Sequence, residues 1–562
     1  KPVLKWMRTA LPIGRIRLTL RRWMRRWRKR LQRNARWSWK ASWSRTSIPE
    51  TIMPSWRTRK RKPRPPAKNG SNGKFAQKLC GVYSIIAILL VALSSIPYYI
   101  AKAVESGDEY NMLNSADGQT LAFLIMTLLV AAGFIGMLVF MVACVKKEIV
   151  VGKNKALWLF AGVLISALIS TLAADDIGTA FFGYLDRAEG FITIIGYIGF
   201  FAVGMTLTNA VYRRRAANTV VVIGSANALM GILQSIPALA KWIPGYYNYL
   251  FIDYINNVSK AEYFNRYAGY DASYAADGFT CSPFALGALL TIAFALALNN
   301  AAYGKFIGRV LNTAACALMA GAAIATQTFP AMLGIAVVLL TAFILAIVGA
   351  VKEKQADTES EGGERFGKAP VLMVLLCGVI SAAIFGGIFA TDNFRMRNEH
   401  IMYTDSFERL GIAYGAHSAH EDGIYPTLWY EGALTFENSP VIGVGPDNWA
   451  AMWNSGEGME IDRTYNEYLD TAVTRGVLGL AFYAAVIIVT LIKAARIFRR
   501  TLGKADKLAA GLFTAFLAYA VQAFFNISAL CSTPFFYLVI GIIWSYDAKG
   551  RPLDEIKKGS EK

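Results

Sequence analysis

About twelve apolar runs, most of them long enough to cross a membrane, constrain this chain more than any other feature. They lie at roughly 79–101, 120–145, 156–174, 190–211, 219–239 and 283–298, then at 310–326, 331–351, 371–390, 473–492, 508–525 and 534–546. A lipid core accepts only segments whose backbone hydrogen bonds close on themselves, so runs of about 20 apolar residues predict helices. Composition agrees: 55% of the 562 residues are hydrophobic and 17% charged, which fits a multi-span membrane protein and not a soluble multidomain one. The expected fold is all-α, a polytopic membrane helix bundle of about twelve transmembrane helices with one large extracytoplasmic loop. Its two halves show no convincing internal repeat.

The net charge of +21 belongs to one end of the chain. Before Gly81 there are 25 Lys and Arg against the single acid Glu50, a charge of +24, which leaves −3 for the rest. Leu20, Trp23, Trp27 and Leu31 recur at helical spacing among arginines, the pattern of a basic helix lying on an anionic membrane surface. The simpler expectation for residues 1–78 is a disordered basic leader, or sequence upstream of the true start, because its composition does not match the remainder. No recognised module surrounds it, so nucleic acid is not an expected partner. Pro54, Pro63, Pro65 and Pro66 mark a linker before the first span, which is expected to direct insertion without a cleavable signal.

Lysines and arginines divide the connectors into two alternating sets. Lys146, Lys147, Lys153, Lys155, Arg213 to Arg215, Lys305, Arg309, Lys352, Lys354, Arg496, Arg499, Arg500, Lys549 and Arg551 share one set. The excess of positive charge predicts that this set, with both termini, is cytoplasmic. The layout is then a leader over 1–78, nine helices over 79–391, an extracytoplasmic loop over 392–470, three helices over 471–546 and a tail over 547–562.

The 392–470 insert is polar, rich in aromatics and far longer than loops between packed elements usually are. It holds all three histidines: His400, His417 and His420. The i, i+3 spacing of His417 and His420 with Glu421 and Asp422 suits zinc or proton transfer, but no further ligand pair completes a metal site, and a solvated loop is the simpler reading. On the outer side Arg187, Arg266, Arg395, Arg409 and Arg463 stand out, since the guanidinium fork suits bidentate contact to phosphate. The alternative for Arg187 is snorkelling to the interface, or pairing with Asp186 or Glu189. Of the six scattered cysteines, Cys281 and Cys531 fall outside, and their pairing stays open.

Several short motifs occur in a telling order. Gly183-Tyr184-Leu185-Asp186-Arg187-Ala188-Glu189-Gly190 opens the fourth span, and Pro440-Val441-Ile442-Gly443-Val444-Gly445-Pro446 forms a tight turn in the large loop. Tyr465-Asn466-Glu467-Tyr468-Leu469 follows; nine residues separate Asn466 from Gly476, and Gly479 comes after; Gln522 to Ser528 lies in a late span. Together they resemble the O-antigen ligase and O-antigen polymerase superfamily, the Wzy/WaaL-type membrane glycosyltransferases, over about 81–546. This chain departs from the family at Tyr465, where a histidine is usual, at 326–330, where an arginine is missing, and at Tyr425 ahead of Trp429, again in place of an arginine.

The resemblance implies an inverting enzyme that needs no metal or cofactor. It would move a glycan from a polyprenyl-diphosphate carrier to a lipid, glycan or protein acceptor at the outer face of a bacterial cytoplasmic membrane, among membrane lipids. Arg187, Arg463 and then Arg409 are the implied diphosphate contacts. Asn466, with Tyr465 beside it, would orient the acceptor, and His417 and His420 are candidates for proton transfer. Two other classes compete: a non-catalytic relative that binds lipid-linked glycan, and a lipid or solute transporter. The scarcity of ionisable residues in mid-span argues against the transporter.

Overall fold

A computed structural model describes residues 72–93, 116–145, 155–184, 187–236, 239, 275–280, 282–356, 369–389, 424–449, 463–501 and 507–546. Among them the backbone forms helices and turns, with no strand. The helices are α1 (Asn72–Leu93), α2 (Ala116–Val145), α3 (Lys155–Leu172), α4 (Ile177–Phe182), α5 (Phe191–Thr206), α6 (Ala210–Ser235) and α7 (Pro283–Tyr303). They continue with α8 (Phe306–Ala325), α9 (Phe329–Ala356), α10 (Ala369–Phe389), α11 (Ile424–Asn438), α12 (Glu467–Thr501), α13 (Leu508–Gln522) and α14 (Thr533–Trp544). Eight are long and apolar enough to cross a membrane, and four apolar helices are shorter; together they match the twelve predicted spans, a polytopic membrane bundle.

Burial sorts these helices as a lipid surround would. Apolar and small residues run all round α7, and 94% of its apolar window is buried, so it is the axis of the bundle. More apolar still, α10 has only 17% of its window buried and leaves Leu372 and Val379 exposed. Water would not tolerate such a face, whereas hydrocarbon does. Close helix approach supplies much of the packing. A Cβ built on Gly199 would lie 2.3 Å from the Gly133 Cα, and one on Gly541 would lie 2.2 Å from the Phe201 carbonyl oxygen. These glycines let α5 press against α2 on one side and α14 on the other, the small-residue packing on which membrane helices depend.

Three features depart from the sequence expectation. The predicted span 190–211 stops at Thr206, and α6 starts afresh with the Asn209 side chain accepting from Val211 N. Buried Arg213 makes the break affordable: it donates to the Leu207 and Thr208 carbonyls and lies over the Tyr546 ring. The predicted loop 392–470 contains α11, and α12 begins at Glu467 inside that predicted loop. Residues 1–71, and with them the predicted surface helix 16–31 and the proline linker, lie outside the described residues, and α1 begins at Asn72 inside the predicted leader.

One end of the bundle gathers the segments that matter. Ser170 at the end of α3 donates to the Thr474 carbonyl in α12, Phe284 at the start of α7 meets Tyr465, and Asn526 after α13 donates to the Phe284 carbonyl. At the opposite end Lys493 donates to the Tyr546 carbonyl, and Gly511 packs on Asn299. Arg213, Arg496, Arg499 and Arg500 belong to helix ends on that opposite side.

Candidate active site

Two glycine-dependent turns meet at the first end. In the connector between α4 and α5, Gly183 has φ +92° and Ala188 φ +52°, and Ala188 N donates to the Tyr184 carbonyl. A Cβ on Gly183 would lie 2.2 Å from Glu189 N, so only glycine allows the loop to fold back this tightly. The fold-back turns two backbone N–H groups, Tyr184 at 2.7 Å and Glu189 at 3.2 Å, onto the same Asp447 oxygen. Arg187 Nε binds the other oxygen at 2.6 Å. Asp447 therefore sits in a small nest of donors and ties the two motifs together across the sequence.

Asp447 is held in place from the other side by α12. The helix breaks at Gly476, with φ +65° and ψ −173°, which frees the carbonyls just before it. Val444 N donates to the Val473 carbonyl and Gly445 N to the Thr474 carbonyl, while Val477 N donates to the Pro440 carbonyl. Gly443 and Gly476 are thus a docking requirement, because a Cβ on either would meet the backbone of the facing segment, whereas one on Gly445 would meet the Ala174 Cβ at 2.6 Å.

Arg463 is the hub. Its Nη2 donates to Glu189 Oε2 at 2.8 Å and to Ser528 Oγ at 2.9 Å; its Nε pairs with Asp470 Oδ2 at 3.2 Å, and Nη1 lies 3.8 Å from Asp447. Glu189 also accepts from Ser528 Oγ at 2.6 Å and Tyr197 OH at 2.8 Å. Burial pushes the Glu189 carboxyl above its ordinary range, with the Arg463 charge and the Ser528 hydroxyl pulling it back. Beside this cluster is a cavity with about 40 Å³ of water-accessible space, walled by Glu189, Asp447, Arg463, Glu467, Asp470 and Arg475. That is room for about three waters, or for the reacting atoms of a sugar but not its ring.

The family match falls on this part of the chain: residues 314–484, from α8 into α12, match the family model described as O-antigen ligase. Over that segment the chain is similar to the O-antigen ligase family. No curated protein gives a sequence match.

In this fold the predicted residues separate. Arg187 and Arg463 do come together, joined through Asp447, but neither is a bare cation: Arg463 is ringed by carboxylates and its side chain is 5% exposed, against 15% for Arg187. Asn466 is the N-cap of α12, its Oδ1 accepting from Tyr468 N and Leu469 N. Tyr465 has φ +51°, and its ring stands edge-on to Phe284, 4.8 Å between centroids; it packs on the cluster around Trp449 and is not itself among the residues lining the cavity. Arg409, His417 and His420 lie outside the described residues. So does Cys281, while Cys531 is a buried free thiol.

Sequence reasoning passed over Asp447, Glu467, Asp470, Arg475 and Ser528. The available signal was cost: an acid at the mouth of an apolar span, such as Glu467, is expensive unless it is paired or in use.

Proposed function

We propose that this chain is a membrane glycosyltransferase that takes a glycan from a polyprenyl-diphosphate carrier and joins it to a lipid, glycan or protein acceptor. The supporting observation is the ligase-family match running into α12, whose first turns wall the arginine–carboxylate cavity. A diphosphate is already a good leaving group, so the protein's main tasks are to offset its developing charge and to align the acceptor. Arg187, the more open of the two arginines, meets the diphosphate first; Arg463 sets the field behind it. Arg409 is the further diphosphate contact, and His417 and His420 remain candidates for proton transfer. Asn466 acts by fixing the start of α12, and Tyr465 by its place beside it. Deleting the gene is expected to make polyprenyl-diphosphate-linked glycans accumulate, and the purified chain should discharge them when given membranes of the deletion strain. Unchanged lipid-linked glycans on deletion would leave a non-catalytic relative, and a flux of lipid or solute would leave a transporter.

We infer that the site faces outward from a bacterial cytoplasmic membrane, with both termini inside. In support, Arg213, Arg496, Arg499 and Arg500 lie on helix ends away from the cavity, as the excess of positive charge on cytoplasmic connectors requires. Single cysteines replacing Ser455 and Ser360 in a cysteine-free background test this. An impermeant thiol reagent added to intact cells should label position 455 and spare 360. The reverse pattern would invert the topology.

A further inference from the structure

We propose that Glu467 takes the proton of the acceptor hydroxyl, a role that rests on the transferase reading above. Four carboxylates wall the cavity, and three are held by guanidinium groups. Glu189 lies 2.8 Å from Arg463, Asp447 2.6 Å from Arg187, and Asp470 3.2 Å from Arg463. A carboxylate held this way is a poor proton acceptor, because the adjacent cation favours its charged form. Glu467 differs. Its oxygens accept hydroxyls, from Tyr483 at 2.5 Å and Tyr519 at 3.3 Å, and among the described residues no guanidinium stands within ion-pair distance of it.

The side chain is also fixed in place. Tyr519 OH reaches on to Thr533 Oγ1 at 3.2 Å, and Thr533 Oγ1 in turn accepts Ala529 N at 2.9 Å. Three helices therefore set the carboxylate against the cavity: α12 directly, α13 through Tyr519 and α14 through Thr533. Tyr465 is two residues away but packs on Phe284 outside the cavity wall, and a phenol with pKa about 10 is a weak base. The titratable and charged groups around Glu467 are Tyr468, Tyr483 and Arg475 on α12, Tyr519 on α13, Tyr537 on α14, and Glu189 ahead of α5.

The step balances without a co-reactant. The acceptor oxygen forms the new bond to the anomeric carbon while the bond from that carbon to the diphosphate oxygen breaks. The bonding pair leaves with the diphosphate. The hydroxyl proton passes to Glu467, directly or over one water, and returns to bulk water when the product departs.

The test uses the full chain in lipid nanodiscs with a membrane extract of the deletion strain, which supplies accumulated polyprenyl-diphosphate-linked glycan and acceptor together. Wild-type transfer should slow as pH falls, because the base must be unprotonated. Glu467→Gln should retain the lipid-linked glycan as wild type does, yet transfer about 10²-fold more slowly or worse, with the low-pH limb gone. Glu467→Asp should recover part of the rate. Transfer by Glu467→Gln within about threefold of wild type would overturn the proposal, being far short of the effect of losing a general base. So would loss of glycan retention, which marks a structural role. A slow Glu467→Gln enzyme that keeps a limb near pH about 6.5 would assign the step to His417 or His420. If wild type neither retains nor transfers the glycan, the transferase reading falls and this assignment with it.

Discussion

Arg463→Ala is expected to destabilise the whole site, by about 3–5 kcal/mol, and to abolish transfer as a consequence. The arginine is 4% exposed and pairs closely with Glu189 and Asp470, so truncation strands two carboxylates in a poorly solvated place, while Asp447 keeps Arg187. The repulsion between Glu189 and Asp470 adds to the desolvation of Glu189, whose carboxyl would rise further above its ordinary range. Thermal unfolding in detergent, followed by tryptophan fluorescence, measures the effect, and membrane abundance should fall with it. Arg463→Lys should recover only part, since a single ammonium cannot span three acceptors. Arg187→Ala offers the contrast: Asp447 keeps the Tyr184 and Glu189 N–H groups, so a smaller loss of stability with a large loss of transfer is expected. An Arg463→Ala protein that unfolds like wild type would make Arg463 a substrate contact and not the hub described here.

Gly476→Ala should be nearly as damaging although it removes no charge. With φ +65° and ψ −173°, the residue occupies a region essentially reserved for glycine, where any side chain costs about 1–3 kcal/mol in backbone strain alone. The added Cβ would also lie 2.2 Å from the Val441 carbonyl oxygen and 2.5 Å from Ile442 N. Both are backbone atoms, so the 440–447 turn must withdraw from α12. Withdrawal breaks the Val444 and Gly445 bonds to the Val473 and Thr474 carbonyls and takes Asp447 out of its nest. Loss of transfer with a clearly lowered unfolding temperature is expected. Gly386→Ala is the control: its Cβ meets nothing within 4 Å, and alanine gains about 1 kcal/mol of helix propensity. Equal behaviour of the two variants would show that the Gly476 break does not hold the turn.

The sequence by itself determined the spans and the place of the motifs. A bilayer demands about 20 apolar residues per helix, so each span announces itself without reference to any other. The turn glycines were legible for the same local reason, and residues 314–484 carry enough of the pattern to match the O-antigen ligase family. The short α4 and the α11 helix went unseen because neither has a membrane-length apolar run. Tertiary structure alone decided what the arginines face. Arg463 meets Glu189 across 274 residues and Arg187 meets Asp447 across 260, and no spacing rule reaches that far. Read singly, each guanidinium was a candidate phosphate contact, with a local acid as the alternative partner for Arg187; in the fold each has a carboxylate from far along the chain. Helix register then separated neighbours: where α12 begins sets Asn466 as its cap, Tyr465 against Phe284, and Glu467 on the cavity wall. One residue's shift along a helix turns a side chain by about 100°, so which of three adjacent polar groups meets a substrate is settled by packing and not by composition.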